Sequence, residues 1–215
     1  MNEEFKYQRI NLVKKLEKSN YIKSNIVKKA FLEVPRELFI PLKIKSRAYI
    51  DTPMEIGSGQ TISAPHMIAI MCEELDLKPG QKILEIGTGS GYHAAIVSKI
   101  IGKKGHVYSI ERHENLAEKA INNIKKADIK NVTVEFGDGS EGLPKYKPYD
   151  RIYVTCAAPE IPKPLIDQLN DPGKLLIPVG RMFCELKKFE KKYGKTFTKN
   201  LGGCAFVPLV GKHGH

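Results

Sequence analysis

The sequence lacks closely spaced cysteines, long apolar stretches and an apolar leader, and each absence argues against a class of protein. Its four cysteines, Cys72, Cys156, Cys184 and Cys204, lie far apart and form no CxxC pair, so neither a disulfide framework nor a zinc site is expected. No stretch reaches the roughly 18 apolar residues of a membrane span. The first residues carry charge throughout, unlike a signal peptide. We therefore predict buried, reduced thiols, no membrane association and a cytoplasmic location.

The composition predicts a folded protein with a positive surface. The chain has 215 residues, of which 41% are hydrophobic and 27% are charged, as in globular proteins with a full core. Its formal net charge of +11 favours acidic partners, nucleic acid among them. The lysines are spread along the chain and are not clustered with aromatic residues, apart from a local concentration at 187–192. We interpret them as solvated surface residues and do not expect a nucleic acid partner.

Helical patterns and helix breakers occupy the first 80 residues. Apolar residues at helical spacing predict a helix over 4–19, and Ser24 or Asn25 can cap a second helix that ends at Pro35. Prolines and glycines punctuate residues 35–62, which we predict to be irregular. Pro65 favours the start of a third helix directly after Ser63.

After residue 80, short apolar runs alternate with helical patterns. The runs at 82–86, 106–110, 132–136, 149–155 and 174–179 predict five strands of a parallel sheet. Beyond Gly180 the alternation stops, and residues 183–189, 196–200 and 204–209 are typical of antiparallel strands. The predicted fold is α/β, a doubly wound Rossmann-like sheet with N-terminal helices and an antiparallel C-terminal end. Ligands bind such sheets at the carboxyl ends of the strands.

A glycine-rich turn follows the first predicted strand. It reads Glu85-Ile-Gly87-Thr-Gly89-Ser-Gly91, and its glycines allow a tight turn and the close approach of a ligand to the backbone. A P-loop would need Gly-Lys-Ser/Thr, and a dinucleotide-binding turn would need a third glycine where this chain has Tyr92. The ExGxGxG pattern instead resembles motif I of the class I S-adenosylmethionine-dependent methyltransferases.

Acidic residues follow the next two strands, as expected for that cofactor. Glu111 lies about 20 residues beyond the glycines, where a carboxylate can accept both ribose hydroxyl protons. Asp138 follows the third strand, where this fold brings an acidic side chain to the adenine amino group. The predicted cofactor-binding residues are therefore Glu85, Gly87, Gly89, Gly91, Glu111, Asp138 and Gly139.

The chain lacks the motif that holds a target amine in many methyltransferases of this fold. Amino-group methyltransferases commonly carry Asp/Asn-Pro-Pro-aromatic after the fourth strand, whereas this chain has Thr155-Cys-Ala157-Ala-Pro159. This small, uncharged lining argues against N-methylation of a base. It suits an anionic acceptor, which a nearby carboxylate would repel.

A distinctive motif stands before the third predicted helix. Residues 57–67 read GSGQTISAPHM, which closely resembles a specific signature of the protein-L-isoaspartate (D-aspartate) O-methyltransferase family. The resemblance covers about residues 30–210. The other matching stretches are VPRELF at 34–39, AYID at 48–51, AAP at 157–159, IP at 161–162, LIPVG at 176–180 and FVPL at 206–209. The chain departs from the family at Asp171-Pro172-Gly173, where the family often has Gly-Gly in a turn.

The resemblance implies a reaction and roles for several residues. It implies methyl transfer from S-adenosylmethionine to the free α-carboxylate of an L-isoaspartyl residue, followed by closure of the ester to a succinimide, which returns some aspartate. Ser63 is implied as the hydroxyl that orients the acceptor oxygen, and its alternative role is to cap the helix at Pro65. Gln60, Thr61, Ile62 and Ala157 are implied on the substrate side, and the alternative role of Gln60 and Thr61 is to fix the loop. His66 is implied on the cofactor or substrate side, and its alternative role is helix packing.

The implied chemistry needs positioning more than acid–base catalysis. A carboxylate with a pKa of about 3.5 is already ionised at neutral pH, so no strong base is required. No metal site is predicted. We expect the loop 51–65 to act as a lid. We predict one catalytic domain over 1–215, with a helical cap and lid (1–80), a cofactor core (81–180) and C-terminal strands (181–215).

Two other functions stay open on the sequence. A methyltransferase that acts on RNA or a small molecule is favoured by the net charge and opposed by the 57–67 signature. A non-catalytic nucleotide-binding or RNA-binding module would lack the acidic residues or carry basic-aromatic patches, and neither feature is present. His113 and Cys156 cannot be assigned a role.

Overall fold

The computed structural model describes residues 3–181 and 183–215, and its first elements are two helices. Helix α1 spans Glu3–Lys18 and α2 spans Asn25–Glu33. The hydroxyl of Ser24 accepts a hydrogen bond from the amide of Val27 and caps α2, as the sequence predicts. Helix α2 ends before Pro35, because a residue that precedes proline avoids the helical conformation.

The segment 35–62 is more ordered than the sequence predicts. Two 3₁₀ turns, Arg36–Leu38 and Leu42–Arg47, precede an antiparallel hairpin of β1 (Met54–Gly57) and β2 (Gln60–Ile62). The prediction of an irregular segment was wrong for this hairpin, because strands of four and three residues are too short to show a period. Helix α3 (Pro65–Leu75) follows and begins at the predicted proline.

A seven-stranded sheet forms the centre of the molecule. Its spatial order is β5-β4-β3-β6-β7-β8-β9; the first five of these are parallel, and β8 and β9 are antiparallel. Helices α4 (Tyr92–Ile101), α5 (Glu114–Lys126) and α6 (Lys163–Asp167) lie between the parallel strands in sequence. The predicted fold class is thereby confirmed. The strands are β3 (Lys82–Ile86), β4 (His106–Glu111), β5 (Val132–Phe136), β6 (Tyr149–Val154), β7 (Leu169–Gly180), β8 (Cys184–Lys192) and β9 (Lys195–Cys204).

Strand β3 is enclosed on both faces and both edges. It pairs with β4 on one side and β6 on the other. Ile83 belongs to a core cluster that includes the N-terminal helices and α4, whereas Leu84 and Ile86 belong to a second cluster with residues of β6, β7 and α6. This alternation is the two-residue period of a strand that is buried on both faces. The glycine-rich turn therefore begins at a firmly held strand end.

The C-terminal elements differ in part from the prediction. Strand β7 begins at Leu169 and not at 174, and β9 continues to Cys204. The separate strand predicted over 204–209 was wrong, because this stretch makes only an isolated bridge, between Pro208 and Ala157. The amide of Ala157 donates to the carbonyl of Val207, and the amide of Leu209 donates to the carbonyl of Ala157. Residues 207–209 thus lie beside the end of β6.

The four cysteines are free thiols, as predicted. Three are buried, but Cys204 is only half-buried, which corrects the expectation for that residue. Cys184 and Cys204 are distant in sequence, yet they are direct partners in the register of β8 and β9. In the described part of the chain, no helix has the length and apolarity needed to cross a membrane.

Candidate active site

The carboxyl ends of β3, β4 and β6 meet where the strand order changes direction, and two adjoining cavities lie there. One cavity is lined in part by Gly89, Glu111 and residues 207–210, and we call it the cofactor cavity after the predicted role of Glu111. The other is lined in part by Ser63 and Glu85, and we call it the acceptor cavity after the predicted role of Ser63. The two cavities are continuous, because they share the lining residues Thr61, Gly87, Gly89 and Thr155.

The glycine-rich turn is held against the end of β6. The hydroxyl of Thr155 donates to the carbonyl of Gly87 over 2.6 Å. Gly87 has a φ of +90°, and a Cβ atom there would lie 2.4 Å from the Thr155 hydroxyl oxygen. Gly91, with a φ of +85°, precedes α4, and its missing side chain leaves room for Ile124 of α5. The glycines predicted for cofactor binding therefore also permit this close packing.

Glu111 connects β4 to the same turn. Its Oε2 atom accepts from the amide of Gly89 over 2.8 Å, and its Oε1 atom accepts from the amide of His113 over 3.0 Å. The residue is 4% exposed and lines the cofactor cavity. Each carboxylate oxygen can accept more than one hydrogen bond, so Glu111 retains capacity for a ligand.

Asp138 lines a neighbouring cavity, which shares the lining residue Ile110 with the cofactor cavity, and Gly139 lines the cofactor cavity itself. Its Oδ1 atom accepts from the amide of Ser140 and its Oδ2 atom from the amide of Lys212, each over 2.8 Å. Burial opposes ionisation, but these donors outweigh it and lower the pKa of Asp138. At Gly139 a Cβ atom would lie 2.5 Å from Cγ2 of Ile86. The adenine contact of Asp138 stays a prediction.

Glu85 is a fully buried carboxyl group at the end of β3. Its Oε2 atom accepts from the hydroxyl of Ser109, which also bonds to the hydroxyl of Thr88. Its Oε1 atom makes no hydrogen bond of ordinary geometry among the described residues, but the side chain of Tyr153 interacts with this carboxyl group. Burial raises the pKa of Glu85 to about 8. A buried carboxyl at the wall of a cavity can receive a cationic ligand group, which would stabilise its ionised form.

Ser63 lines the acceptor cavity between β2 and α3. The N-cap residue of α3 is Ala64, and no side-chain cap bond is formed there, so the alternative capping role of Ser63 was wrong. No hydrogen bond of the described residues uses its hydroxyl, while its carbonyl accepts from Arg36 over 3.0 Å. The hydroxyl is therefore available to a ligand in the cavity.

The predicted substrate residues are divided between the wall and the support of the site. Thr61 lines both cavities, Gln60 lines the cofactor cavity and Ile62 lines the acceptor cavity. Gln60 also donates to the carbonyl of Ser58 over 3.2 Å and so steadies its loop. Ala157 is 1% exposed and is fixed by the bonds to residues 207 and 209, and its neighbour Cys156 lines the cavity instead.

His66 is placed away from both cavity walls. Its backbone amide and its Nδ1 atom both lie within hydrogen-bond distance of Oδ1 of Asp51, at 2.9 and 3.0 Å. Its ring packs on Tyr21, with 5.4 Å between the ring centroids. This geometry makes His66 an anchor for the loop 51–65, and its cofactor contact stays a prediction.

Several cavity residues were not predicted from the sequence. Thr155 and Arg112 directly follow strand ends, and that position was the available signal. Residues 207–210 line the cofactor cavity within a family-like stretch whose place in the fold had no local signal. The thiol of Cys156 is buried, which raises its pKa. Within residues 3–181 and 183–215, no group of three His, Cys, Asp or Glu residues could hold a metal ion.

Comparisons with known proteins give consistent matches over most of the chain. The family model of protein-L-isoaspartate(D-aspartate) O-methyltransferase matches residues 7–214. A protein-L-isoaspartate O-methyltransferase of Methanococcus aeolicus is 54% identical over 94% of both chains. One of Methanothermobacter thermautotrophicus is 51% identical over 96% of this chain and 97% of its own. A Plasmodium falciparum structure described as such a methyltransferase, in complex with S-adenosyl-L-homocysteine, is 30% identical with a TM-score of 0.84, over 93% of this chain and 97% of its own.

Proposed function

The chain belongs to the protein-L-isoaspartate(D-aspartate) O-methyltransferase family, and we propose that its two cavities divide the reaction between cofactor and acceptor. The enzyme uses S-adenosylmethionine to methylate isoaspartyl residues of damaged proteins. The methyl group goes to the α-carboxylate that an isoaspartyl linkage leaves free. The ester then closes to a succinimide, and hydrolysis restores part of the residue to aspartate.

The residues at the ends of β3 and β4 fit S-adenosylmethionine. When bound, this cofactor supplies a methyl group on a positively charged sulfur. The carboxyl group of Glu85, in the wall of the adjoining acceptor cavity, suits the cationic amino group of the cofactor, and Glu111, in the wall of the cofactor cavity, has acceptor capacity for the ribose hydroxyls. Gly139 keeps open a space beside Ile86 that any side chain would fill. Asp138 and His66 retain their assigned cofactor roles on the family resemblance alone.

Ser63 is the proposed catalytic residue, because it lines the acceptor cavity and its hydroxyl forms no hydrogen bond among the described residues. The substrate carboxylate is ionised at neutral pH and needs no proton acceptor. The hydroxyl of Ser63 donates to one acceptor oxygen and so aims the other oxygen at the methyl group. Thr61, Gln60 and Ile62 shape the space around the acceptor. Holding the reacting atoms in line supplies a large part of the rate in such transfers.

One observation carries the proposal: Ser63, whose hydroxyl forms no hydrogen bond among the described residues, and the buried carboxyl residue Glu85 line the same cavity. Ser63 belongs to the loop between β2 and α3, and Glu85 to the buried end of β3. Their common cavity supports the proposal that an acceptor-binding hydroxyl and a cofactor-binding carboxyl group act in one space. Sequence distance alone would not bring these two residues together.

The test is methyl transfer from radiolabelled S-adenosylmethionine to two peptides of one sequence, one with L-isoaspartate and one with L-aspartate. We expect base-labile label only on the isoaspartyl peptide. Ser63→Ala should lower turnover by about tenfold or more, because one oriented hydrogen bond to a charged acceptor contributes about 1.5–3 kcal/mol. The exposed Ser46 of the Leu42–Arg47 turn serves as the control, and Ser46→Ala should leave turnover unchanged.

Calorimetry with S-adenosylhomocysteine separates this role from cofactor binding. Ser63→Ala should keep the affinity of the folded protein within about threefold, a change below 0.7 kcal/mol. Unchanged turnover in the variant would remove Ser63 from the mechanism. Label on the aspartyl peptide at the same rate would instead refute the proposed choice of acceptor.

We further propose that residues 1–215 act as one catalytic domain and bind no nucleic acid. The first proposal is supported by a single core cluster that joins Leu12 of α1 to Ile83 of β3. The second is supported by the ion pairs that Lys187 and Lys188, within the lysine concentration of β8, form with Glu185 and Glu74. Excess RNA should therefore leave the rate of peptide methylation unchanged at physiological salt, and competition by RNA would refute the second proposal.

We also propose a cytoplasmic location, supported by the four free thiols. Fractionation of the source cells should place the protein with cytoplasmic markers. Recovery with extracellular or membrane fractions would contradict this proposal.

A further inference from the structure

Arg36 is a fully buried arginine that bonds to two backbone segments of the site. Its side chain is 0% exposed. Its Nε atom donates to the carbonyl of Ala48 over 2.9 Å, and its Nη2 atom donates to the carbonyl of Ser63 over 3.0 Å. Its guanidinium carbon lies 4.8 Å from the centre of the Tyr92 ring, in the first turn of α4. Arg36 thus links three parts of the molecule: Ala48 in the N-terminal cap, the loop between β2 and α3 that carries Ser63, and helix α4, which follows the glycine-rich turn.

The free energy needed to remove the guanidinium of Arg36 from water is large for a residue with a purely structural role. Desolvation lowers the pKa of Arg36, against the opposing influence of Tyr92, Tyr49 and Asp51. Its Nε and Nη2 atoms donate to neutral carbonyl oxygens, its Nη1 atom makes no hydrogen bond of ordinary geometry among the described residues, and its guanidinium also interacts with the side chain of Tyr92. An apolar side chain of similar volume would fill the same space without the cost of desolvating a charge. A function that needs the planar, two-armed donor explains why arginine stands here.

The bond to Ser63 is the part of this arrangement that bears on catalysis. Ser63 precedes α3 and caps nothing, so the helix does not orient its side chain. The carbonyl oxygen is fixed by Nη2 of Arg36, and this bond restrains the backbone dihedrals from which the hydroxyl projects. The position of Arg36 is fixed in turn by Ala48 and by the ring of Tyr92.

We propose that Arg36 is a positioning residue, which holds the backbone of Ser63 so that its hydroxyl faces the acceptor carboxylate. This inference rests on the proposed role of Ser63. Arg36 itself lies outside the walls of both cavities and acts through Ser63. Small displacements of a reacting group are costly in rate, by up to about 100-fold for ~1 Å.

The substitution Arg36→Lys tests the hydrogen-bond geometry of this position separately from its charge. Arg36→Lys keeps a buried cation, but one ammonium group cannot replace the planar fork that spans Ala48 and Ser63. Arg36→Met removes the charge as well and tests whether the fold tolerates an apolar side chain. The matched control is Arg151, which is 8% exposed and donates to the backbone carbonyls of Leu75 and Asp150 near the start of β6, away from the carboxyl edge of the sheet.

The decisive experiment is a double-mutant cycle of Arg36→Lys with Ser63→Ala, read as turnover on the isoaspartyl peptide. We expect Arg36→Lys to lower turnover by about tenfold in the Ser63 background and by less than about threefold in the Ser63→Ala background. The affinity for S-adenosylhomocysteine should stay within about threefold. Arg151→Lys should lower the melting temperature to a similar extent and leave turnover unchanged.

Equal losses of turnover in the two backgrounds would overturn the inference and make Arg36 a structural residue only. Full activity of Arg36→Lys would overturn it also. If Arg36→Met fails to fold, the lysine variant still decides the question, since circular dichroism reports separately whether it is folded. Failure of the wild-type protein to label the isoaspartyl peptide would refute the proposed function itself and is measured in the same assay.

Discussion

Replacement of Glu85 by glutamine should change how the stability of the ligand-free protein depends on pH. Burial raises the pKa of this carboxyl group from 4.5 to about 8. The folded protein therefore binds a proton at Glu85 between these values that the unfolded chain has lost. Because the folded state binds more protons in this window, the free energy of unfolding falls as the pH rises. Glutamine does not titrate, so the free energy of unfolding of the variant lacks this decrease with rising pH.

A second buried group limits the useful pH range. Burial lowers the pKa of His93 from 6.5 to about 3, so below pH 6.5 the unfolded chain binds more protons there, and stability rises with pH. This slope opposes that of Glu85 up to pH 6.5. Between pH 6.5 and 8 the slope of Glu85 remains, and it amounts to roughly 1–2 kcal/mol over the interval, since one pKa unit corresponds to about 1.4 kcal/mol.

The measurement is urea unfolding, followed by far-ultraviolet circular dichroism because the chain has no tryptophan, at pH 6.5, 7.2 and 8. The stability of Glu85→Gln relative to the wild type should rise by roughly 1–2 kcal/mol across this range. The exposed Glu118 of α5 provides the control, and Glu118→Gln should parallel the wild type. Parallel pH profiles for Glu85→Gln and the wild type would refute the assignment of a raised pKa to Glu85.

Further predictions concern the cofactor, the glycine-rich turn and the N-terminal helices. Glu111→Ala should weaken S-adenosylhomocysteine binding by about tenfold or more in calorimetry, because hydrogen bonds to a charged group contribute about 1.5–3 kcal/mol; unaltered affinity would remove it from the ribose site. Thr155→Val should lower both the stability and the cofactor affinity, because the turn loses its bond to Gly87; a stability loss without weaker binding would limit Thr155 to packing. Ser24→Ala should cost about 1 kcal/mol in urea unfolding without any effect on turnover, and the absence of a stability loss would argue against the cap.

The strand ends could be predicted from the sequence, because their signals are local. Each parallel strand is a short apolar run, and the residue that follows it must lie at the carboxyl edge of the sheet. The positions of these strand ends in the sequence predict that Glu85, Glu111 and Gly139 lie at the site, and all three line one of the two cavities. No contact had to be known for this step, since the topology of a doubly wound sheet supplies it.

The contacts that set the geometry could not be predicted, because they join residues distant in sequence. Arg36 lies 27 residues before Ser63, to whose carbonyl it donates a hydrogen bond. Asp138 lies 74 residues before Lys212, from whose amide it accepts one. The strands of the β1–β2 hairpin are too short to show an alternation of apolar and polar residues. Residues 207–209 have the composition of a strand, but they pair only with Ala157, through an isolated bridge. Tertiary packing decides such cases, and local propensity is a weak guide to them.

The hydrogen bonds of Asp138 bear on the enzyme's own chemical ageing. Asp138-Gly139 is the one place in the sequence where Asp or Asn precedes glycine, and a flexible pair of this kind is the most prone to close to a succinimide, since glycine leaves the attacking nitrogen unhindered. Here the amides of Ser140 and Lys212 hold both carboxylate oxygens and lower their pKa, so the group stays ionised, is a poor target for attack and cannot rotate freely. The protein thus restrains, beside its own cofactor cavity, the kind of lesion that it repairs in others.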